Sequence, residues 1–249
     1  MTKFFRIVFL SFLLLSSAYA SAQKGVLTVG LQFKPVVPVS FFNDVATVVE
    51  GDISAEMTPT FGYSFGMNVR RGIGDLFALE TGINYIQRNY DYDYSRSSFE
   101  FQESGQVTFV GYEIPLMALF YVRLGQSTYM NVAGGVAADM FPSDAVKTSD
   151  ALRVYVFRKN WIQGSVMANV GFEMRTEKSG YFVVGATYHR PFTTMAVTEF
   201  THYDDNGFPT SVRTDLTGTY ITLDLRYFFH DDPNKKKKRE VDRSEREGF

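Results

Sequence analysis

Apolar and polar side chains alternate with a period of two in eight stretches of this chain, and that period puts successive side chains on opposite faces of a strand. In the first stretch, about Val26 to Lys34, Leu27, Val29, Leu31 and Phe33 oppose Thr28, Gly30, Gln32 and Lys34. In the second, Phe61, Tyr63, Phe65, Met67 and Val69 oppose Gly62, Ser64, Gly66, Asn68 and Arg70. The remaining six run from Phe77 to Tyr85, Tyr112 to Val122, Tyr129 to Ala138, Ser165 to Arg175, Tyr181 to Phe192 and Ile221 to Phe229. Each is roughly ten residues long, the length a tilted strand needs to cross a bilayer. Pro115, Met117 and Leu119 blur the alternation of the fourth stretch, and proline cannot donate to a ladder, so a bulge is expected there.

The connections alternate in length. Arg71 to Asp75, Arg123 to Ser127 and Thr176 to Ser179 are short, whereas Pro35 to Thr60, Asp91 to Gln106, Asp139 to Gly164 and Thr193 to Gly218 are long. A chain that enters and leaves on one side and crosses eight times has three inner turns and four outer loops. The expected fold is therefore all-β: an eight-stranded antiparallel up-and-down transmembrane β-barrel with short periplasmic turns and four longer outer loops. A soluble sandwich or lipocalin-like barrel is the competing fold, but the wet second face of each strand argues against it.

The first residues sharpen the address. Lys3 and Arg6, the apolar run Ile7 to Leu15 and the small-residue segment ending Ala20-Ser21-Ala22 follow the order of a secretory signal peptide, with Ala18-Tyr19-Ala20 a competing cleavage site. Residues 1–22 are expected to be the leader, 23–230 the barrel and 231–249 a charged, disordered periplasmic tail. Removing the leader leaves 25 − 2 = 23 basic against 27 acidic residues, a balance that gives no reason to expect nucleic acid as a partner. The chain has no cysteine, so disulfides and a lipoprotein anchor are excluded as sources of stability or attachment.

On the wet face recur Lys34, Arg70, Glu80, Glu113, Glu173, Arg175, Asp224 and Arg226. An eight-stranded interior is just wide enough for side chains to fill, so these groups are expected to pair and close the lumen, not to line a channel. His189 lies in phase with them and is read as a hydrogen-bonded interior histidine; a Ser–His pair of an acyl-transfer enzyme is the competing reading. His202 falls in the fourth outer loop and His230 beyond the last strand. Asp204-Asp205-Asn206-Gly207 lacks the spacing and distal Glu of a calcium loop and reads as a turn. Tyr90-Asp91-Tyr92-Asp93-Tyr94 reads as a strand rising above the membrane, with a recognition surface as the alternative. Aromatic residues at strand ends, among them Phe41-Phe42, Trp161 and Tyr227-Phe228-Phe229, suit a headgroup belt. No catalytic, cofactor-binding or metal-ligating residue is assigned, and no cofactor is expected.

Val29-Gly30-Leu31, Leu79-Glu80-Thr81-Gly82-Ile83-Asn84-Tyr85, Tyr112-Glu113-Ile114-Pro115-Leu116, Gly134-Gly135 and the closing Ile221 to Phe228 carry a resemblance to small outer-membrane β-barrels of the porin-like or OmpA-like kind, including PorT-type proteins. The resemblance spans about Gly25 to Phe229. It implies an outer-membrane location, outer-membrane lipid as surroundings and assembly by the barrel-insertion machinery, which reads an aromatic-ended last strand; here that strand ends at Phe228-Phe229, before the tail. The expected role is structural, adhesive or in secretion assembly, with a lipid acyl hydrolase or narrow pore as alternatives. The basic run Lys235 to Arg239 offers charge attraction to a periplasmic partner, although six acidic residues in the tail nearly offset it.

Overall fold

The computed structural model describes residues 27–38, 45–74, 76–176 and 179–229. The leader, Phe41-Phe42, His230 and the tail lie outside the described residues. Among the described residues thirteen strands are found: β1 (Leu27–Val37), β2 (Ala46–Glu50), β3 (Ile53–Gly72), β4 (Phe77–Arg96), β5 (Phe101–Arg123), β6 (Thr128–Met140), β7 (Ala145–Thr148), β8 (Leu152–Arg158), β9 (Ile162–Thr176), β10 (Gly180–Pro191), β11 (Ala196–Tyr203), β12 (Pro209–Leu216) and β13 (Tyr220–Phe228).

Eight of them close a ring. The antiparallel order β1-β13-β10-β9-β6-β5-β4-β3 returns on itself because β1 pairs with both ends of the set, Gly30 lying opposite Phe228 on one side and Asn68 on the other. These eight contain the eight alternating stretches of the sequence. Closure satisfies the ladder of every strand, which an open sheet in lipid cannot do.

The faces are inverted relative to a soluble protein. Leu27, Phe65, Ile83 and Leu223 stand about half exposed on the outside, while Arg70, Glu80, Glu113, Glu173 and Asp224 are buried in the middle. Exposed Phe182 and Phe192 lie ten residues apart on and just past β10. That distance is ~33 Å of strand, or about 25 Å of height at a tilt of about 40°, the height of an outer-membrane apolar band, with exposed Arg190 of the same row just inside its upper edge. On β4 the outward row passes from Leu79 and Ile83 through Tyr85 to Gln87, Asn89, Asp91 and Asp93, so the apolar belt ends at Tyr85. Tyr85 packs on Phe65 at 5.0 Å and on Tyr112 at 5.9 Å, an aromatic girdle at that level.

β3, β4 and β5 have 20, 20 and 23 residues, whereas a crossing needs about 9–11, so roughly half of each rises beyond the belt. Here two expectations are corrected. The four long connections are not bare loops: they contribute β2, the upper halves of β3 to β5, and the separate four-stranded sheet β12-β11-β8-β7. His202 accordingly sits in β11, not in a loop. The reason is that their own alternation gives each segment an apolar face to bury against the others.

The bulge expected around Pro115 lies elsewhere. β5 keeps one register through Pro115 on both neighbours, Pro115 facing Ala137 and lending its carbonyl to Thr81 Oγ1 at 2.7 Å. The irregularity lies in β3, where the pairing moves from Thr60↔Asn89 to Tyr63↔Gln87. One extra residue in β3 switches its inward positions from Ser64, Asn68 and Arg70 to Ile53, Ala55 and Met57. Asn89 Nδ2 donates to the Phe61 carbonyl at 2.7 Å and satisfies the interrupted ladder. Without that residue Met57 would face solvent.

Candidate functional site

Two regions hold the side chains that fill the interior: the lumen within the apolar belt and the layer beyond it. In the lower lumen Arg70 bridges Glu80 at 2.8 Å and Glu173 at 2.5 Å, and Glu173 also accepts from Arg175 Nε at 2.6 Å. Arg226 contacts Glu80 at 2.9 Å and pairs with Asp224. The Arg70 guanidinium stacks over Phe228 at 3.9 Å and that of Arg175 over Tyr129 at 4.0 Å. Six of the eight charges expected to pair take part in ion pairs here; Glu113 instead meets His189, and Lys34 is buried beside the small cavity it shares with Glu80 and Arg226.

Higher in the lumen, Glu113 is held by three strands. His189 Nδ1 lies 2.9 Å from its Oε2, Tyr220 donates to the same oxygen at 3.0 Å, and Asn84 Nδ2 donates to Oε1 at 2.9 Å. The His189 ring stacks on Tyr220 at 4.2 Å, with Thr222 Oγ1 3.5 Å from its Nε2. Every partner of His189 in this cluster is a carboxylate, a phenol or a threonine hydroxyl, an arrangement that holds the ring in place. On the other wall Ala78, Met117, Leu119, Ala133, Ala137 and Met167 form an apolar patch inside the barrel. This patch explains the blurred alternation around Pro115: the lumen there wants grease.

Two cavities at these levels, among the described residues, are small. One, lined by Gln32, Lys34, Glu80, Thr187 and Arg226 among others, and one at the turn end beside Arg70 and Arg175, measure about 10 Å³ each. That is room for about one water.

Beyond the belt the chemistry changes. Tyr90, Tyr92 and Tyr94 point inward while Asp91 and Asp93 point out, as expected of a strand rising above the membrane. Their rings meet Phe200 of β11 at 6.2 Å from Tyr92 and 6.0 Å from Tyr94. Leu152, Val154 and Val156 of β8 and Val212 of β12 complete an apolar core with Met57, Phe109 and Phe141. Burial and the neighbouring Glu103 carboxylate push the Tyr92 hydroxyl above its ordinary pKa. Arg88, not singled out in the sequence, caps the lumen beneath this core, stacked over Tyr220 at 4.4 Å. Extending the even-numbered phase of β4 from Glu80 through Asn84 to Tyr94 would have found it.

At the tip, Asp204 closes a turn by accepting from Phe208 N at 2.8 Å and Asn206 N at 3.0 Å, with Gly207 at φ 79°, a turn and not an ion loop. Among the described residues no cluster of three or more His, Asp or Glu side chains is placed to hold a metal ion. The run Lys235 to Arg239 lies outside the described residues.

Residues 21–196 match the family model described as an outer membrane protein beta-barrel domain, about 70% of the chain. No curated relative matches. Among solved structures, the outer membrane protein OprG from Pseudomonas aeruginosa is similar with a TM-score of 0.53 and 12% identity, covering 84% of this chain and 98% of that one. At that identity the likeness concerns the fold alone. The outer membrane protease OmpT from Escherichia coli overlaps 85% of this chain and 100% of its own at 11% identity, with a TM-score of 0.40, too loose to bear on function.

Proposed function

The chain belongs to the outer membrane β-barrel domain family and resides in the outer membrane, and from that premise we propose that it is a non-conducting, non-enzymatic anchor that holds a preorganised outer β layer in place. The layer would serve a structural, adhesive or secretion-assembly role. The observation that carries this reading is continuity: β3, β4 and β5 run unbroken from the belt into the outer core, above a lumen closed by paired charges. A rigid strand platform loses little entropy when it meets a partner, so ordering costs are met by folding.

Surrounding lipid follows from the apolar exterior, and the aromatic-ended β13 suits recognition by the barrel-insertion machinery. A periplasmic partner for the basic tail is a further expectation, and nucleic acid is not expected. Reconstitution in planar bilayers tests the reading: silence is expected, and cross-linking in intact cells should trap envelope partners through the outer layer. Step conductance, or turnover of lipid A or phospholipid acyl chains by the purified protein, would overturn it.

A further inference from the structure

Three parts of the chain meet at the outermost end of the molecule. The turn between β2 and β3 supplies Asp52; the end of β4 supplies Arg96 and the β4–β5 connection Ser97 and Ser98; and β11 supplies His202. Ser97 N donates to the Asp52 carbonyl at 2.9 Å, and Arg96 Nε donates to Asp52 Oδ2 at 3.1 Å, with Ser98 Oγ on the same carboxylate oxygen. The other edge of the guanidinium reaches across the seam, placing Nη1 3.2 Å from His202 Nδ1. His202 is buried, its ring 4.5 Å from Phe101, 5.8 Å from Phe99 and 6.0 Å from Tyr94.

Arginine carries only donors and stays charged, so the histidine nitrogen that faces it must offer a lone pair. The contact therefore exists only with neutral imidazole, its proton on Nε2. Protonation puts a hydrogen where the lone pair was and sets two cations in contact. It removes the one side-chain bond between Arg96 and β11 and replaces it with repulsion.

We propose that Arg96 and His202 form a proton-sensitive latch that holds the four-stranded outer sheet against the wall of β3, β4 and β5 and loosens it in acid. The groups around His202 weigh in both directions. From β4 and β5 it meets Tyr94, Arg96 and Phe101, from their connection Phe99, and in register Leu152 of β8 and Thr210 of β12. Asp52, Asp204 and Asp205 favour the cation from a distance, but Asp52 is engaged by Arg96 and Ser98, and Asp204 accepts from its own turn. Burial and Arg96 outweigh them and hold the histidine below its ordinary pKa. The latch goes beyond the anchoring role and stands whether or not the outer layer binds a partner.

The test uses the full chain folded in lipid vesicles or detergent micelles. Nitrogen NMR of labelled histidine at about pH 7.5 should show His202 neutral with its proton on Nε2, and amide exchange compared between about pH 7.5 and pH 5, corrected for intrinsic rates, should follow its titration. Amides of residues 196–203 and 209–216 are expected to exchange severalfold faster in acid, while those of β1 and β13 keep their protection. His202→Gln should abolish the acid response. Arg96→Met should speed exchange at neutral pH, shrink the acid response and let His202 titrate closer to its ordinary value. Equal protection of the outer sheet at both pH values, an acid response that survives in His202→Gln, or a proton on Nδ1 at neutral pH would each overturn the proposal. Should a variant fail to fold, the tautomer and exchange of the wild-type protein still decide it.

Discussion

Arg70 of β3 reaches across the barrel interior to Glu173 of β9, its Nη1 2.5 Å from Oε2, while Nη2 holds Glu80 of β4 at 2.8 Å. One guanidinium thus joins three walls of the ring. Removing it leaves each of two buried carboxylates with one arginine, Arg226 for Glu80 and Arg175 for Glu173, and breaking a buried pair costs at most about 3–5 kcal/mol. Arg70→Met should lower the heat-modification temperature on gels and the denaturant midpoint in vesicles, and Glu173→Gln in the same chain should restore part of the loss.

The exterior makes an opposite demand. Arginine placed at Leu223 or Leu225, outward-facing positions within the belt, should destabilise the barrel by about 2–4 kcal/mol in bilayer unfolding. Arginine at Gln106 of β5, also facing outward but past the girdle, should cost close to nothing. Equal costs at the two levels would misplace the membrane boundary.

Gly134 and Gly135 are neighbours with different duties. A Cβ at Gly135 would lie 2.1 Å from the Leu116 carbonyl oxygen of β5, whereas one at Gly134 meets nothing within 4 Å. Gly135→Ala is expected to cost about 1–3 kcal/mol through overpacking against the backbone. Gly134→Ala should be neutral in the same refolding assay.

Phe200 is fully buried between the outer sheet and the rising wall. Phe200→Ala should cost the outer layer about 3–5 kcal/mol. Because the ring of eight strands closes without it, protease should then cut within residues 141–164 and 193–218 while heat-modifiable mobility persists.

Acid should act on the outer layer in two windows. The folded pKa of His202 lies below its ordinary 6.5, so the unfolded layer binds more protons and stability is lost as pH falls below about 6.5. The Asp52 carboxyl is held below its ordinary 3.8 chiefly by the Ser98 hydroxyl. Its contribution is present above 3.8 and disappears as pH drops through the folded value. Measured by outer-sheet protection against pH, Asp52→Asn should remove the lower window and leave the upper one.

Leu27 to Lys34 and Ile221 to Phe228 show why the barrel was legible in the chain. Lipid outside and ion pairs inside impose opposite polarity on alternate residues, so each crossing writes its own face assignment locally, in a window of about ten residues. Segments such as Leu152 to Val156 and Ala196 to Tyr203 alternate too, but they stabilise one another only when β8 and β11, some forty residues apart, lie side by side. Nothing local states that pairing, and so the outer layer read as loops. The single extra residue near Phe61 and the partners of Arg70, Arg96 and His202 were decided in the same way, by strands brought together through closure of the ring. Period and phase are properties of neighbours along the chain; register shifts and cross-barrel bonds depend on which distant backbones end up adjacent.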